Sequence, residues 1–210
     1  MNKFALALLS APLAATALVA PSAFAQSGTA SDLSAVQAHL KAVDTMTAGF
    51  IQTDRNNQSL TGTVTLKRPG KIRFQYQKGV PMLIVSDGKA LTMIDYEVKQ
   101  VQRWPITNSP LGALLNPNMD LSKYGKVIQT GDPRVLSVEV RDPKRPEFGT
   151  IAMVFVRDSA APAGLKLSGW VATDAQNKRT AIKLRDQKFN VPVAANAFAW
   201  TDPRPAGKRK

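Results

Sequence analysis

Side-chain alternation with period two, repeated in segment after segment, constrains this chain more than any other feature. In LTGTVTLKRPGKIRFQY, residues 60–76, Val64 and Leu66 alternate with threonines, and Ile72, Phe74 and Tyr76 alternate with Arg73 and Gln75. Successive side chains on a strand point to opposite faces, so each half of the stretch has one apolar and one polar face. Lys67-Arg68-Pro69-Gly70 joins the halves as a turn. The same patterning, bounded by Gly, Pro, Asp or Asn, predicts strands at 82–86, 90–96, 98–104, 127–130, 135–141, 150–157, 165–173 and 179–189. Met46, Ala48 and Phe50, alternating with Thr45, Thr47 and Gly49, open the series with a strand ending near Arg55. Ile151, Met153 and Phe155 share one face. Further on, the alternation groups Leu165, Leu167, Gly169 and Val171 against Lys166, Ser168 and Trp170. Ser86-Asp87-Gly88 is a hairpin turn, because Asp-Gly readily supplies positive φ.

Helical spacing is confined to three places. Leu33, Val36, Leu40 and Val43 follow a helical period behind Ser31-Asp32, which predicts a cap there. A short helix is expected over 110–115 and a helical turn over 120–124. With no internal repeat and no linker, the economical architecture is α+β, mainly β: one strongly curved antiparallel sheet with two or three helices against one face.

The N-terminus reads as an export leader. Lys3 precedes an apolar run from Phe4 to Ala20, interrupted by Ser10, Pro12 and Thr16, and Ala23-Phe24-Ala25 forms a small-residue cleavage site. This predicts a cleaved leader over 1–25, a mature chain beginning at Gln26, a single domain over 26–210 and a periplasmic location. The chain contains no cysteine, so neither a lipid-attachment thiol nor a disulfide framework is available and packing alone must hold the fold. No later apolar run reaches the roughly 18 residues that a membrane-spanning helix requires. The net charge of +13 favours anionic partners. Export and the scatter of the bases argue against nucleic acid and for anionic lipid, acidic protein surfaces or envelope polymers.

Reactive groups are sparse. The single histidine, His39, reads as a partly exposed structural residue on the first helix. Asp87, Asp132, Asp142, Asp158 and Asp174 fall in turns rather than in a cluster that would hold a metal. Ser86 carries no nucleophile-elbow pattern. The expectation is therefore no catalytic residue, no metal and no cofactor, which leaves the apolar face of the curved sheet as the functional feature. That face either forms a dry core under the helices or receives a ligand.

The order of motifs resembles the periplasmic outer-membrane lipoprotein carrier (LolA) family over nearly all of the mature chain. The pieces are MTAGFIQT, GTVTLKRPGKIRFQY, IVSDGKALTMIDYEVKQV, SPLGALL and FAWTDPRP. The resemblance implies an incompletely closed antiparallel β-barrel covered by a helical lid, with an apolar cavity that takes lipoprotein acyl chains. It assigns Arg68 as the lid latch, bonded to lid carbonyls, and Leu111, Leu114 and Leu115 to the lid. Phe50, Leu66, Ile72, Phe74, Ile151, Met153 and Phe155 become the inward residues of an accessible acyl-chain cavity. Ile72 and Phe74 stand where the family commonly has an aromatic residue and a tryptophan, and Gly112 and Ala113 make the lid small. The implied partners are acylated lipoproteins, an inner-membrane lipoprotein-releasing ABC transporter and an outer-membrane lipoprotein receptor; a monomer is expected. A carrier or sensor of another lipid or glycolipid is the alternative within the same half-barrel, and a periplasmic hydrolase the alternative outside it.

Overall fold

The alternating segments become eleven strands in one antiparallel sheet. A computed structural model describes residues 24–106 and 111–205, with side chains from Gly28 onward. Helix α1 (Phe24–Ala42) leads into β1 (Thr45–Thr53), β2 (Ser59–Lys67), β3 (Lys71–Tyr76), β4 (Met82–Asp87), β5 (Ala90–Asp95) and β6 (Gln100–Pro105). Helices α2 (Leu111–Leu115) and α3 (Leu121–Tyr124) follow. Then come β7 (Gly125–Ile128), β8 (Val135–Arg141), β9 (Thr150–Arg157), β10 (Leu165–Thr173) and β11 (Arg179–Phe189). The strand order is β6-β5-β4-β3-β2-β1-β11-β10-β9-β8-β7, so the first and last strands pair in the middle and β6 and β7 are left as edges. The result is an incompletely closed barrel with helices over its inner face.

Register sets which side chains meet inside. Phe74 lies opposite Val64 and Ile72 opposite Leu66, while Met153 lies opposite both Trp170 and Val138. These residues share one buried core with Val36 and Leu40 of α1 and with Ala113, Leu114 and Leu115 of α2. A second, smaller cluster sits on the outer face, where Leu83, Val85 and Ile94 are covered by Phe198 and Trp200 of the C-terminal segment. That segment starts at the centre of the sheet, where the Asn190 backbone N–H donates to the Thr45 carbonyl at 2.8 Å. It is held at its far end by Arg73, whose Nη1 donates to the Ala199 carbonyl at 2.7 Å.

Five sequence expectations are corrected. Helix α1 runs straight through Ser31-Asp32 instead of starting there, because the Asp32 side chain is engaged elsewhere: it pairs with Arg157 of β9 at 2.5 Å. Strand β6 begins at Gln100, not at residue 98. The Asp95 carboxylate accepts the N–H groups of Glu97 and Val98, so those residues form a turn, and Val98 is 58% exposed. Strand β7 is shifted toward the N-terminus, since Thr130 turns to donate to the carbonyls of Asp132 and Val135. His39 is not partly exposed but 1% exposed. Finally, Trp170 and not Val171 faces inward. The pairing register slips between Leu167 and Gly169, and a one-residue slip exchanges the two faces of everything after it. The leader expected over 1–25 lies outside the described residues up to residue 23, and Pro110, the expected start of α2, lies outside them too.

Candidate functional site

The turn between β2 and β3 is the mechanical centre of the inner face. Gly70 adopts φ +80, and a Cβ there would press on the backbone of Gly88 at 2.7 Å, so only glycine lets the two hairpin turns lie against each other. Buried Ser86 locks them together. Its Oγ donates to the Gly70 carbonyl at 2.7 Å and accepts from the Gly88 N–H at 3.1 Å. From this fixed base the turn reaches both helices. The Arg68 N–H donates to the Asp44 carbonyl at 2.8 Å, and the Gly70 N–H to the Leu115 carbonyl at 3.1 Å.

The Arg68 side chain completes the connection. Its Nε and Nη2 donate to the Leu114 carbonyl at 3.3 and 3.2 Å, and Nη1 donates to the Val43 carbonyl at 2.5 Å. The last carbonyls of a helix have no partner inside it, and a planar guanidinium with five donors can bridge two such acceptors. Arg68 thus ties the end of α2 to the residue just after α1. Burial brings its pKa down to about 10, with the nearby Asp44 charge pulling the other way. Among the described residues Arg68 makes no ion pair; its closing contacts are all to neutral carbonyls. Hydrogen bonds from a charged donor contribute about 1.5–3 kcal/mol each, and desolvation of the cation offsets part of that gain.

Gln37, which sequence patterning did not single out, fastens the other end of the cover. From α1 it donates to the Pro117 carbonyl at 2.5 Å and accepts from the Leu121 N–H at 3.4 Å, so one amide spans the link between α2 and α3. His39, in the last turn of α1, is buried edge-on to Phe155 and Phe189, with Nδ1 donating to the Pro162 carbonyl at 2.9 Å. Burial holds its pKa below the ordinary imidazole value, and the Arg68 charge acts in the same direction.

Under this cover Phe50, Leu66, Ile72, Phe74, Ile151, Met153 and Phe155 converge in one core, each at most 4% exposed. Phe50 stands edge-on to both Phe74 and Tyr76 at 5.3 Å, and Phe74 edge-on to Trp170 at 6.2 Å. Burial pushes the Tyr76 hydroxyl up to about 12, and it donates to Gln52 Oε1 at 2.7 Å. One space beneath the cover, about 100 Å³, is bounded by Phe74, Ile84, Leu91, Trp170, Ala172 and Leu111 among others. Of the seven predicted cavity residues, only Phe74 borders it. Leu111 of α2 roofs it, whereas Leu114 and Leu115 are wholly buried.

The five aspartates expected in turns each accept a backbone N–H two residues on, as in Asx turns. No cluster of three or more His, Asp or Glu side chains capable of holding a metal occurs among the described residues. An open, strongly curved sheet with an apolar inner face, closed by short helices through one arginine, defines the class: a lidded, incompletely closed β-barrel. The family model for the outer membrane lipoprotein carrier protein LolA matches residues 41–201, and the chain belongs to that family.

The outer-membrane lipoprotein carrier protein of Chromobacterium violaceum is 29% identical over 206 residues, covering 94% of this chain and 93% of the relative. That of Xanthomonas campestris pv. campestris is 32% identical over 198 residues, covering 89% and 90%. A solved DUF1329 family protein from Desulfovibrio piger shares the fold at TM-score 0.50 and 8% identity, covering 80% of this chain and 95% of that one.

Proposed function

We propose that the protein carries lipoproteins across the periplasm by enclosing their acyl chains between the inner face of the sheet and α2. It takes them from an inner-membrane lipoprotein-releasing ABC transporter and hands them to an outer-membrane lipoprotein receptor. The observation that carries this reading is the bonding of the Arg68 guanidinium to the Leu114 and Val43 carbonyls, a polar clasp over an apolar interior. Family membership and the leader-like N-terminus point the same way. Burying about a dozen methylenes removes roughly 10 kcal/mol of unfavourable hydration. Entry must break the clasp and displace packed side chains, and these costs offset enough of that gain for cargo to leave again. The work is binding and release, with no bond made or broken and no cofactor required.

The test loads wild-type and Arg68→Leu protein with a fluorescent lipoprotein and follows transfer to receptor-bearing outer membranes. The variant takes up cargo and retains it, because departure no longer restores the closing hydrogen bonds. Equal transfer rates would reduce Arg68 to a turn residue. Failure of both proteins to bind the lipoprotein, together with a different lipid in mass spectra of protein purified from its own periplasm, would replace the cargo.

A further inference from the structure

The space under Leu111 is about 100 Å³, well below the roughly 300 Å³ at which small-molecule pockets begin. What closes it on the inside is an indole. Trp170 is 3% exposed and meets the edge of Phe74 at 6.2 Å. Behind this pair the interior is solid: Phe50 backs Phe74 at 5.3 Å, and fully buried Met153 lies opposite Trp170 on β9. The lining also includes the small residues Ala172 and Thr180. A chain occupying this space would meet Leu111, Leu91, Ala172 and the Trp170 ring.

The indole owes this position to a local backbone device. Strict alternation would turn Trp170 outward with Lys166 and Ser168. The register slip between Leu167 and Gly169 turns it inward instead. Gly169 permits the slip, because a Cβ there would run into the Ile182 carbonyl of β11.

We infer that Trp170 is the depth stop of the acyl-chain site, the residue that fixes how many methylenes of a straight saturated chain the protein encloses. The inference rests on the carrier reading above and adds a length specificity to it. In the test, purified protein is titrated by calorimetry with a homologous series of straight-chain lysophospholipids, from about ten to about eighteen carbons, affinity growing about fourfold per enclosed methylene.

For wild type the growth stops at an intermediate length. For Trp170→Ala it continues over several more carbons, and Trp170→Phe, which keeps a smaller aromatic wall, stops between the two. In a Trp104→Phe, Trp200→Phe background Trp170 is the sole tryptophan, and its emission shifts on binding only for chains long enough to reach it. Should wild type and both Trp170 variants bind with the same length limit, the depth stop is wrong while the carrier reading stands. If none of the three binds any member of the series, the carrier reading falls and this inference with it. Trp170→Phe also serves if Trp170→Ala fails to fold.

Discussion

The two faces of the sheet both bury apolar side chains, but different parts of the chain cover them. On the inner face the cover is α1 and α2, and its polar fastening is Arg68, largely buried and bonded to two carbonyls on separate segments. On the outer face the cover is the continuation of β11, and its fastening is Arg73, a more exposed arginine bonded to one backbone carbonyl of that cover and to Gln75 Oε1 on its own strand. Outer packing is also thinner: three buried residues under two half-buried aromatics. A cover that is simply the next stretch of a paired strand needs little fastening, since it is already tethered beside its target. Helix α2 continues no paired strand, and it meets the β2–β3 turn through the Gly70 N–H and Arg68. Its position rests on buried Leu114 and Leu115 and on polar contacts from Arg68, Gly70 and Gln37. The same residue type thus does two jobs, and the number of covering segments whose backbone carbonyls it reaches separates them.

The sharpest test of this contrast is to thin each packing layer. Phe50→Ala removes a fully buried ring held between Phe74 and Tyr76 and is expected to cost about 3–5 kcal/mol in urea unfolding. Phe198→Ala removes a half-buried ring from the outer cluster and should cost about 1–2 kcal/mol. Equal losses would mean that the outer cover is as much part of the core as the inner one.

Next in size is the fastening itself. Arg68→Leu should lower the protection of the α2 amides in hydrogen exchange by the equivalent of about 1–3 kcal/mol, while the sheet amides hardly change. Arg73→Leu should cost under about 1 kcal/mol and leave α2 untouched. Loss of α2 protection in the Arg73 variant would break the contrast.

His39 gives the smallest effect. Its folded-state pKa lies below the ordinary imidazole value of about 6.5, so as pH falls through that value the unfolded chain takes up the proton first. The stability is thus complete above that pH and declines below it toward the folded pKa. His39→Gln should flatten that part of a melting-temperature profile, and a slope unchanged by the substitution would place the titration elsewhere.

The inner face was readable because alternation reports side-chain direction wherever the register is regular. Phe50, Leu66, Ile72, Phe74, Ile151, Met153 and Phe155 follow from it directly. Where a bulge intervenes the rule inverts, and Trp170 was lost to the outer face because no residue in Leu-Ser-Gly-Trp announces a slip on its own; a glycine within an alternating strand is the one available hint. The acceptors for Arg68 left no trace, since Leu114 and Val43 use backbone carbonyls that every residue possesses. Ser86 and Gln37 act through single polar atoms at positions that read as an ordinary turn and an ordinary helix surface. His39 was misjudged because its burial comes from Phe155, Phe189 and Pro162, all distant in sequence.

The gap between β6 and β7 gives the scaffold compliance. In a closed barrel, girth is fixed by a continuous ring of backbone hydrogen bonds, and widening it means breaking a ladder. Here no ladder joins the two edges, so the sheet can flatten or tighten by small changes of twist between neighbouring strands while every existing pair stays intact. The edges are poor templates for a foreign strand. Residue Pro105 ends β6 without an N–H, and β7 is only four residues long and carries exposed Lys126. The seam can therefore remain unsealed without inviting a foreign strand.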